Sequence, residues 1–215
     1  MKYLLTSTGF YTTTIADALV DLVGKPKEEI SFGIINEAYA VEEGDKSWVF
    51  EELNNYRKHF SGICDLVNLL ALTKEQVIER IEQCDVIYVL GGNTDYLMGV
   101  FNKSGFGALL RNQFSDKVYV GSSAGSMVMC NRVSTQAYLE IYGENLDFNI
   151  DSYLNIFDFA IKPHLNSKEF PNNIKEKLEK VSRSFGKKMI CLKDEQALSI
   201  VEDRIKNIGG EVFIC

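Results

Sequence analysis

Short apolar runs alternate with longer amphipathic runs along most of the chain, a pattern typical of β-α-β units. The run at residues 85–90 (DVIYVL) is almost continuously apolar, as expected for a strand buried on both faces of a parallel sheet. The pattern predicts strands over 2–7, 31–36, 63–69, 85–90 and 117–120. It predicts helices over 13–22, 46–60, 73–83 (with Thr73 and Gln76 placed as a capping box), from about 94, and over 106–114.

The alternation becomes less regular after residue 131, where 133–141 is compatible with either a strand or a helix. Further on, the pattern predicts a strand over 157–161, a helix over 169–185 and closing strands over 188–192, 197–201 and 204–208. The last two of these form a hairpin around Glu202 and Asp203. The predicted architecture is an α/β fold, a mostly parallel doubly wound sheet with an antiparallel C-terminal edge, in one domain over residues 1–215.

Composition narrows the function classes. The chain has 215 residues, is 46% hydrophobic and carries a formal net charge of -7, which argues against a nucleic-acid partner or an anionic membrane surface. No apolar run reaches the length of a signal peptide core or a membrane span. The five cysteines form no C-x-x-C pair, so no metal site or redox motif is predicted. We expect a cytoplasmic protein with four core cysteines and Cys215 at the surface.

The segment GSSAG (residues 121–125) matches the pattern G-x-S-x-G, centred on Ser123. It follows the predicted strand 117–120 and precedes a helix-compatible run at 126–131, which is the setting that a nucleophile elbow requires. The flanking glycines permit a tight turn that exposes a hydroxyl at the start of a helix. We therefore predict a nucleophilic serine, and an ordinary small-residue turn is the alternative.

A serine nucleophile needs a base, usually histidine, and the chain has 2 histidines, His59 and His164. His59 lies in a polar stretch that predicts the end of a solvated helix. His164 follows the predicted strand 157–161, in a loop at the carboxyl end of a strand, where α/β sheets build their sites. We predict His164 as the base; a structural or surface histidine is the alternative.

The segment GGNT (residues 91–94) follows the predicted strand 85–90 and opens a predicted helix. Its consecutive glycines leave backbone N–H groups accessible, and Asn93 or Thr94 can cap the helix. The functional interpretation is half of an oxyanion hole, completed by the N–H of Ala124. A phosphate cradle and a plain turn are the alternatives, and no glycine-rich nucleotide-binding motif supports the cradle.

In this order, GGNT, GSSAG and the pair Pro163-His164 resemble the peptidase E (aspartyl dipeptidase) and cyanophycinase family of serine peptidases. The resemblance extends roughly over residues 2–201. It implies a flavodoxin-like or class I glutamine-amidotransferase-like fold, and a hydrolase without metal or cofactor that releases N-terminal aspartate or cleaves aspartyl-linked peptides. It also implies Ser123 as nucleophile, His164 as base, and Gly92 and Ala124 as oxyanion donors.

The same resemblance suggests the orienting acid and the substrate-binding residues. In relatives a carboxylate precedes an Ala-Leu pair on a late strand, and here Asp194 fits that position, with Glu195 as the alternative. An arginine that holds the substrate carboxylate in aspartyl dipeptidases corresponds to Lys175, which supplies the charge without the bidentate fork. Asn93 and Lys175 are the candidate substrate-binding residues; a solvated helix face is the alternative for Lys175.

Three functions stay open at this point. The first is a serine exopeptidase acting on a small peptide substrate, the second is another acyl hydrolase such as an esterase or amidase, and the third is a catalytically silent binding protein of the same fold. The sequence also leaves a homodimer open beside a monomer.

Overall fold

The computed structural model describes residues 1–143 and 148–215. Its strands, in chain order, are β1 (Lys2–Thr6), β2 (Phe32–Ile35), β3 (Cys64–Leu66), β4 (Val86–Val89), β5 (Val118–Ser122), β6 (Ala160–Lys162), β7 (Met189–Cys191), β8 (Ala197–Val201), β9 (Arg204–Ile208) and β10 (Phe213–Ile214). Its helices are α1 (Thr13–Val23), α2 (Ser47–His59), α3 (Lys74–Glu82), α4 (Thr94–Ser104), α5 (Phe106–Asn112), α6 (Ala124–Met127), α7 (Thr135–Tyr142) and α8 (Lys175–Phe185).

The main sheet has seven strands in the order β3-β2-β4-β5-β1-β8-β9 within the described residues. The first five are mutually parallel, β8 runs antiparallel to β1, and β9 forms a hairpin with β8. Strands β2, β4 and β5 are buried at every position, because helices and their apolar side chains cover both faces. The predicted α/β class, with its antiparallel C-terminal edge, is confirmed.

Two strands that the sequence assigned to the single sheet, 157–161 and 188–192, instead belong to a second, smaller sheet in the order β10-β7-β6, together with β10, which the sequence did not predict. The predicted strand 157–161 was wrong at its start, since β6 begins at Ala160 and ends at Lys162. The preceding segment packs by its side chains, with the rings of Phe157 and Phe159 stacked at 5.5 Å. The predicted strand 188–192 is β7, which pairs with β6 rather than with the main sheet.

The helix predicted over 169–185 begins later, at Lys175. Pro171 disfavours helix at the residue before it, and the segment folds as a loop in which the N–H of Asn166 donates to the carbonyl of Asn173 at 2.9 Å. The buried side-chain amide of Asn173 donates to the carbonyl of Pro163. Through this hydrogen bond to Pro163, the loop helps to hold the backbone next to His164 in place.

Other local predictions divide into confirmed and corrected ones. Thr73 and Gln76 form the predicted capping box, and most of the ambiguous run 133–141 lies in helix α7, which begins at Thr135. The predicted strand 63–69 shortens to β3, an edge strand, so Cys64 is exposed rather than part of the core. The helix-compatible run after the GSSAG segment is α6, which is only four residues long and begins at Ala124.

None of the helices in the described part of the chain combines the length and apolar character needed to cross a bilayer.

Candidate active site

Ser123 occupies a strained turn between β5 and α6. Its backbone has φ 46° and ψ -108°, a conformation that non-glycine residues adopt only when the surroundings hold them there. The Ser123 N–H points back at the carboxyl end of β1, towards the carbonyls of Ser7 (3.1 Å) and Thr6 (3.2 Å). The hydroxyl is thereby turned outward from the sheet at the start of a helix.

The glycines of the elbow are required by close backbone contacts. A Cβ atom on Gly125 would collide with the carbonyl of Val89 on β4, and one on Gly121 would collide with the backbone of Gly125. Gly91 lies against the serine itself, since a Cβ there would stand 3.2 Å from Cβ of Ser123. The GGNT segment and the elbow therefore form one packed unit.

His164 lies two residues beyond β6, in the smaller sheet, and its imidazole reaches the elbow. Nε2 is 2.9 Å from Oγ of Ser123, although the two residues are separated by 41 positions in the chain. The backbone of His164 has φ 65°, and its ring packs at 4.9 Å against the ring of Phe170. The strand that carries the histidine belongs to a different sheet from the strand that carries the serine, whereas the sequence suggested a single sheet edge.

Asp194 completes a continuous hydrogen-bonded chain. Its Oδ1 lies 2.8 Å from Nδ1 of His164, so Nδ1 carries the proton in the neutral tautomer that this network favours. The hydroxyl of Ser7 donates to the same oxygen at 3.1 Å and accepts the backbone N–H of His164 at 2.8 Å. The hydroxyl of Thr8 donates to the carbonyl of Asp194 at 2.7 Å. The residues just after β1 thus fix both the acid and the histidine.

The electrostatics favour an ionised Asp194. Burial pushes the pKa of its carboxyl upward, but the hydrogen bond and charge of His164, with smaller contributions from Ser7 and Ser167, bring the pKa below its ordinary value. The side chains of His164 and Asp194 are 13% and 27% exposed, so the pair is partly shielded from solvent. A carboxylate in this position stabilises an imidazolium when the histidine accepts a proton.

Two backbone N–H groups flank the serine without a protein acceptor. Within residues 1–143 and 148–215, neither the N–H of Gly92 nor that of Ala124 donates a hydrogen bond to another protein group. Gly92 has φ 130°, and a Cβ on it would collide with the backbone of Ala38, so only glycine fits there. Such donors at a helix N-terminus can stabilise a developing negative charge.

The remaining predicted site residues lie in other arrangements. The side chain of Asn93 caps α4 by accepting the N–H of Tyr96 at 2.9 Å. Lys175 opens α8, with its ammonium 4.9 Å from the centre of the Phe213 ring, and makes no hydrogen bond to Ser123, His164 or Asp194. A substrate-binding role for either residue stays a prediction.

Glu195 and His59 are the alternatives to Asp194 and His164. Both lie outside the hydrogen bonds that connect the serine, the histidine and the acid. The side chain of Glu195 makes no hydrogen bond within the described residues, although Glu195 directly follows Asp194. His59 is the last residue of α2 and packs against Phe60, and it likewise has no hydrogen bond to the serine.

Sequence reasoning missed two polar residues that surround the site, Ser7 and Glu52. Ser7 is fully buried at the end of β1, and Glu52 lies on α2 and is 9% exposed. A buried glutamate inside an amphipathic helix carries no local signal, because its partners are 36 or more positions away. The sequence signals only one of these two residues, because Ser7 is a polar residue at the carboxyl end of the first predicted strand.

Known proteins match nearly the whole chain in sequence. The sequence profile of Peptidase family S51 matches residues 3–208. An uncharacterized peptidase of Pasteurella multocida is 24% identical over 211 residues, covering 98% of each chain. An uncharacterized peptidase of Listeria monocytogenes is 29% identical over 99 residues, covering 44% of this chain and 47% of its own.

Two solved structures share the fold. A provisionally assigned peptidase E protein from Listeria monocytogenes superposes with a TM-score of 0.73 at 20% identity, covering 100% of this chain and 97% of its own. A peptidase from an acI-B1 Actinobacterium gives a TM-score of 0.64 at 17% identity, covering 99% and 96%. Since the family profile spans nearly the whole chain and the fold is that of a peptidase E, this protein belongs to peptidase family S51 and is a serine peptidase.

Proposed function

We propose that this serine peptidase is an exopeptidase on short peptides, with Ser123 as nucleophile, His164 as general base and Asp194 as the acid that orients the histidine. The observation that carries the proposal is the unbroken chain of contacts from Oγ of Ser123 through the imidazole to Oδ1 of Asp194, at 2.9 and 2.8 Å. Both distances are within hydrogen-bonding reach, which is the geometric requirement for a nucleophile and its base.

The proposed reaction proceeds in two steps. Oγ of Ser123 attacks the scissile carbonyl carbon while Nε2 of His164 takes the hydroxyl proton, and the carbonyl oxygen becomes an oxyanion held by the N–H groups of Gly92 and Ala124. The imidazolium then protonates the leaving amine, the C–N bond breaks and an acyl-enzyme remains. A water molecule, deprotonated by His164, releases the acid product and restores the serine.

The substrate class is a separate part of the proposal. The resemblance to aspartyl dipeptidases favours peptides with an N-terminal aspartate, and Lys175 is the residue whose position corresponds to their carboxylate-binding arginine. Its ammonium lies over Phe213, and a lysine contributes charge without a two-pronged hydrogen bond. We therefore propose hydrolysis of short peptides with at most a partial preference for aspartate.

Active-site labelling tests the catalytic assignment. A fluorophosphonate should modify wild-type protein at Ser123, and Ser123→Ala should abolish both labelling and turnover while leaving the far-UV circular dichroism unchanged. Ser122→Ala, one residue earlier in the same turn, is the matched control and should retain labelling. Equal losses in the two variants, or labelling at another serine, would refute the assignment.

Parallel substrate assays test the reaction class. Aspartyl dipeptides, the matching alanyl and lysyl dipeptides, and p-nitrophenyl acetate are incubated with equal amounts of titrated enzyme. The proposal expects dipeptide cleavage, with the aspartyl substrate preferred by no more than about tenfold, the value of one modest charge interaction. Ester cleavage without any dipeptide cleavage would make the protein an esterase-like acyl hydrolase instead.

A further inference from the structure

The backbone of His164 adopts a conformation that is rare for a residue with a side chain. Its φ is 65°, in the left-handed region, and Asn166, two residues later, has φ 61°. This region is unfavourable for an L-residue, which stays there when its surroundings hold it. The direction of the imidazole follows from the backbone, so whatever fixes this φ also sets the 2.9 Å approach of Nε2 to Oγ of Ser123.

The peptide unit before His164 is held on both of its sides. Its carbonyl, that of Pro163, accepts the side-chain amide of Asn173, and the hydroxyl of Tyr142 donates to the same oxygen at the longer distance of 3.4 Å. Its N–H, that of His164, donates to Oγ of Ser7 at 2.8 Å. Because a peptide unit is planar, partners on its two opposite sides fix the orientation of the whole plane.

The peptide unit after His164 is held in the same way, by backbone groups. The carbonyl of His164 accepts the N–H of Ser167 at 3.1 Å, and the N–H of Leu165 donates to the carbonyl of Leu192 at 2.9 Å. The φ and ψ angles of His164 are the rotations that relate these two planes. The four closest partners of the two units therefore determine the left-handed conformation together.

Only two of these four partners are side chains, those of Ser7 and Asn173, and they differ in what else they touch. The hydroxyl of Ser7 also donates to Asp194 at 3.1 Å. The side chain of Asn173 hydrogen-bonds neither Asp194 nor Ser123 within residues 1–143 and 148–215. Asn173 therefore acts on the histidine through the backbone, separately from the acid.

The rest of Asn173 is bound into the loop that follows the histidine. Its N–H donates to the carbonyl of Phe170 and its carbonyl accepts the N–H of Asn166, each at 2.9 Å. The ring of Phe170 lies 4.9 Å from the imidazole of His164, centre to centre. The side chain of Asn173 is completely buried, yet its Oδ1 has no hydrogen-bond partner among the described residues. An amide is costly to bury with one half unsatisfied, which singles out the donor that reaches Pro163 as the group that this position requires.

We propose that Asn173 is a positioning residue: by donating to the carbonyl of Pro163, it holds His164 in the left-handed conformation that directs Nε2 at the nucleophile. This inference rests on the proposed function, because the orientation of His164 matters only if the imidazole takes the proton of Ser123. The side chain of Asn173 touches neither the substrate nor the reacting atoms in this scheme. Without its hydrogen bond the Pro163–His164 peptide is free to turn, and the negative φ values that an L-residue prefers carry the imidazole away from Oγ.

The kinetic test compares Asn173→Ala with Asn172→Ala. Asn172 is the exposed neighbour, and its side chain accepts a hydrogen bond from Lys177. Rates of dipeptide and p-nitrophenyl acetate hydrolysis are normalised to the folded fraction, measured by urea denaturation, so that lost stability is not counted as lost activity. Asn173→Ala should lower kcat by about tenfold to a hundredfold with KM changed by less than about twofold, since misplacing a catalytic group by about 1 Å costs about a hundredfold in rate. Asn172→Ala should match the wild type.

Asn173→Asp is a second variant, which keeps the shape of the side chain. Its carboxyl donates to the carbonyl of Pro163 only when it is protonated, and burial raises the pKa of a carboxyl. The ratio of its kcat to that of the wild type should therefore be highest at low pH and should fall as pH rises and the donor is lost. Asn172→Asp, which adds the same charge at the exposed neighbouring position, should show no such change.

A backbone readout separates positioning from a general loss of stability. A positive φ brings the amide proton and the Hα of one residue closer together than a negative φ does, so His164 should give a strong intraresidue cross-peak in the NOESY spectrum of the wild type. The chain has only 2 histidines, so ¹⁵N-histidine labelling combined with His59→Ala identifies this signal. The cross-peak should weaken in Asn173→Ala and persist in Asn172→Ala.

The outcomes separate this role from the proposed function. Wild-type kcat in Asn173→Ala, or a lowered kcat with an unchanged His164 cross-peak, would overturn the positioning role and leave the catalytic assignment intact. If Asn173→Ala does not fold, a wild-type kcat in Asn173→Asp at every pH would overturn the role equally. A wild-type protein that a fluorophosphonate does not modify at Ser123 would remove the proposed function, and the role of Asn173 with it.

Discussion

Replacing Asp194 with asparagine tests how the acid acts, because Ser7 determines which way the new amide turns. Oδ1 of Asp194 faces both Nδ1 of His164 at 2.8 Å and the Ser7 hydroxyl at 3.1 Å. Oγ of Ser7 already accepts the backbone N–H of His164, so its own proton points at Asp194. In Asp194→Asn the amide oxygen is therefore favoured at this position, since an NH₂ group there would meet the Ser7 O–H.

The variant thus keeps the productive tautomer and loses only the negative charge. Two unit charges about 4 Å apart interact by about 4 kcal/mol at an effective dielectric constant of about 20, a value suited to a partly shielded pair. At about 1.36 kcal/mol per factor of ten, the expected loss in kcat/KM is about 10³. An asparagine that imposes the wrong tautomer on a serine protease costs more, about 10⁴ in kcat.

Kinetics and ¹⁵N spectra of the imidazoles check this reasoning together. The chain has only 2 histidines, so His59→Ala assigns the signals of His164. We expect Asp194→Asn to keep the proton on Nδ1, and Asp194→Asn combined with Ser7→Ala to shift it towards Nε2. Glu195→Gln is the matched control and should retain wild-type kcat/KM. An Nε2-protonated His164 in Asp194→Asn with Ser7 intact would refute the role assigned to Ser7.

Three further predictions concern the base, the elbow and the buried carboxyl. His59→Ala should leave kcat/KM within about twofold of wild type, since His59 lies outside the site; a large loss in the hydrolysis assay would overturn the choice of base. Gly125→Ala should lower the free energy of unfolding by about 1–3 kcal/mol in urea denaturation, because the added Cβ would collide with the carbonyl of Val89. The control Gly99→Ala, where the added Cβ enters open space on α4, should raise the free energy of unfolding by about 0.5–1 kcal/mol. Equal effects of the two substitutions would refute the steric explanation. Burial raises the pKa of Glu52 in the folded state, so the folded protein holds the carboxyl proton to higher pH than the unfolded chain, and wild-type stability falls as pH rises above the ordinary carboxyl pKa of 4.5. The stability of Glu52→Gln relative to wild type should therefore increase as pH rises through this range, and a constant difference would contradict the pKa direction.

Much of the fold could be predicted because its signals are local. The strand–turn–helix around GSSAG, the capping box of Thr73 and Gln76, and the C-terminal hairpin each depend on residues within a few positions of one another. The parallel core of the sheet could be predicted from the continuous apolar run at residues 85–90, which contains β4. The late start of α8 was missed because a charged stretch with helical spacing outweighed the effect of Pro171.

The sequence alone determined the class of sheet, the strained turn and the residue types available for chemistry, since dihedral preferences and apolar periodicity act over short distances. Tertiary structure decided which strands pair, and hence that His164 approaches the serine from the smaller sheet. It also decided that Ser7, 187 positions before Asp194, orients the acid, and that Glu52, 36 positions before Tyr88, lies beneath the elbow. Such contacts come from packing elements that are distant in the chain, and no pattern within a single element encodes them.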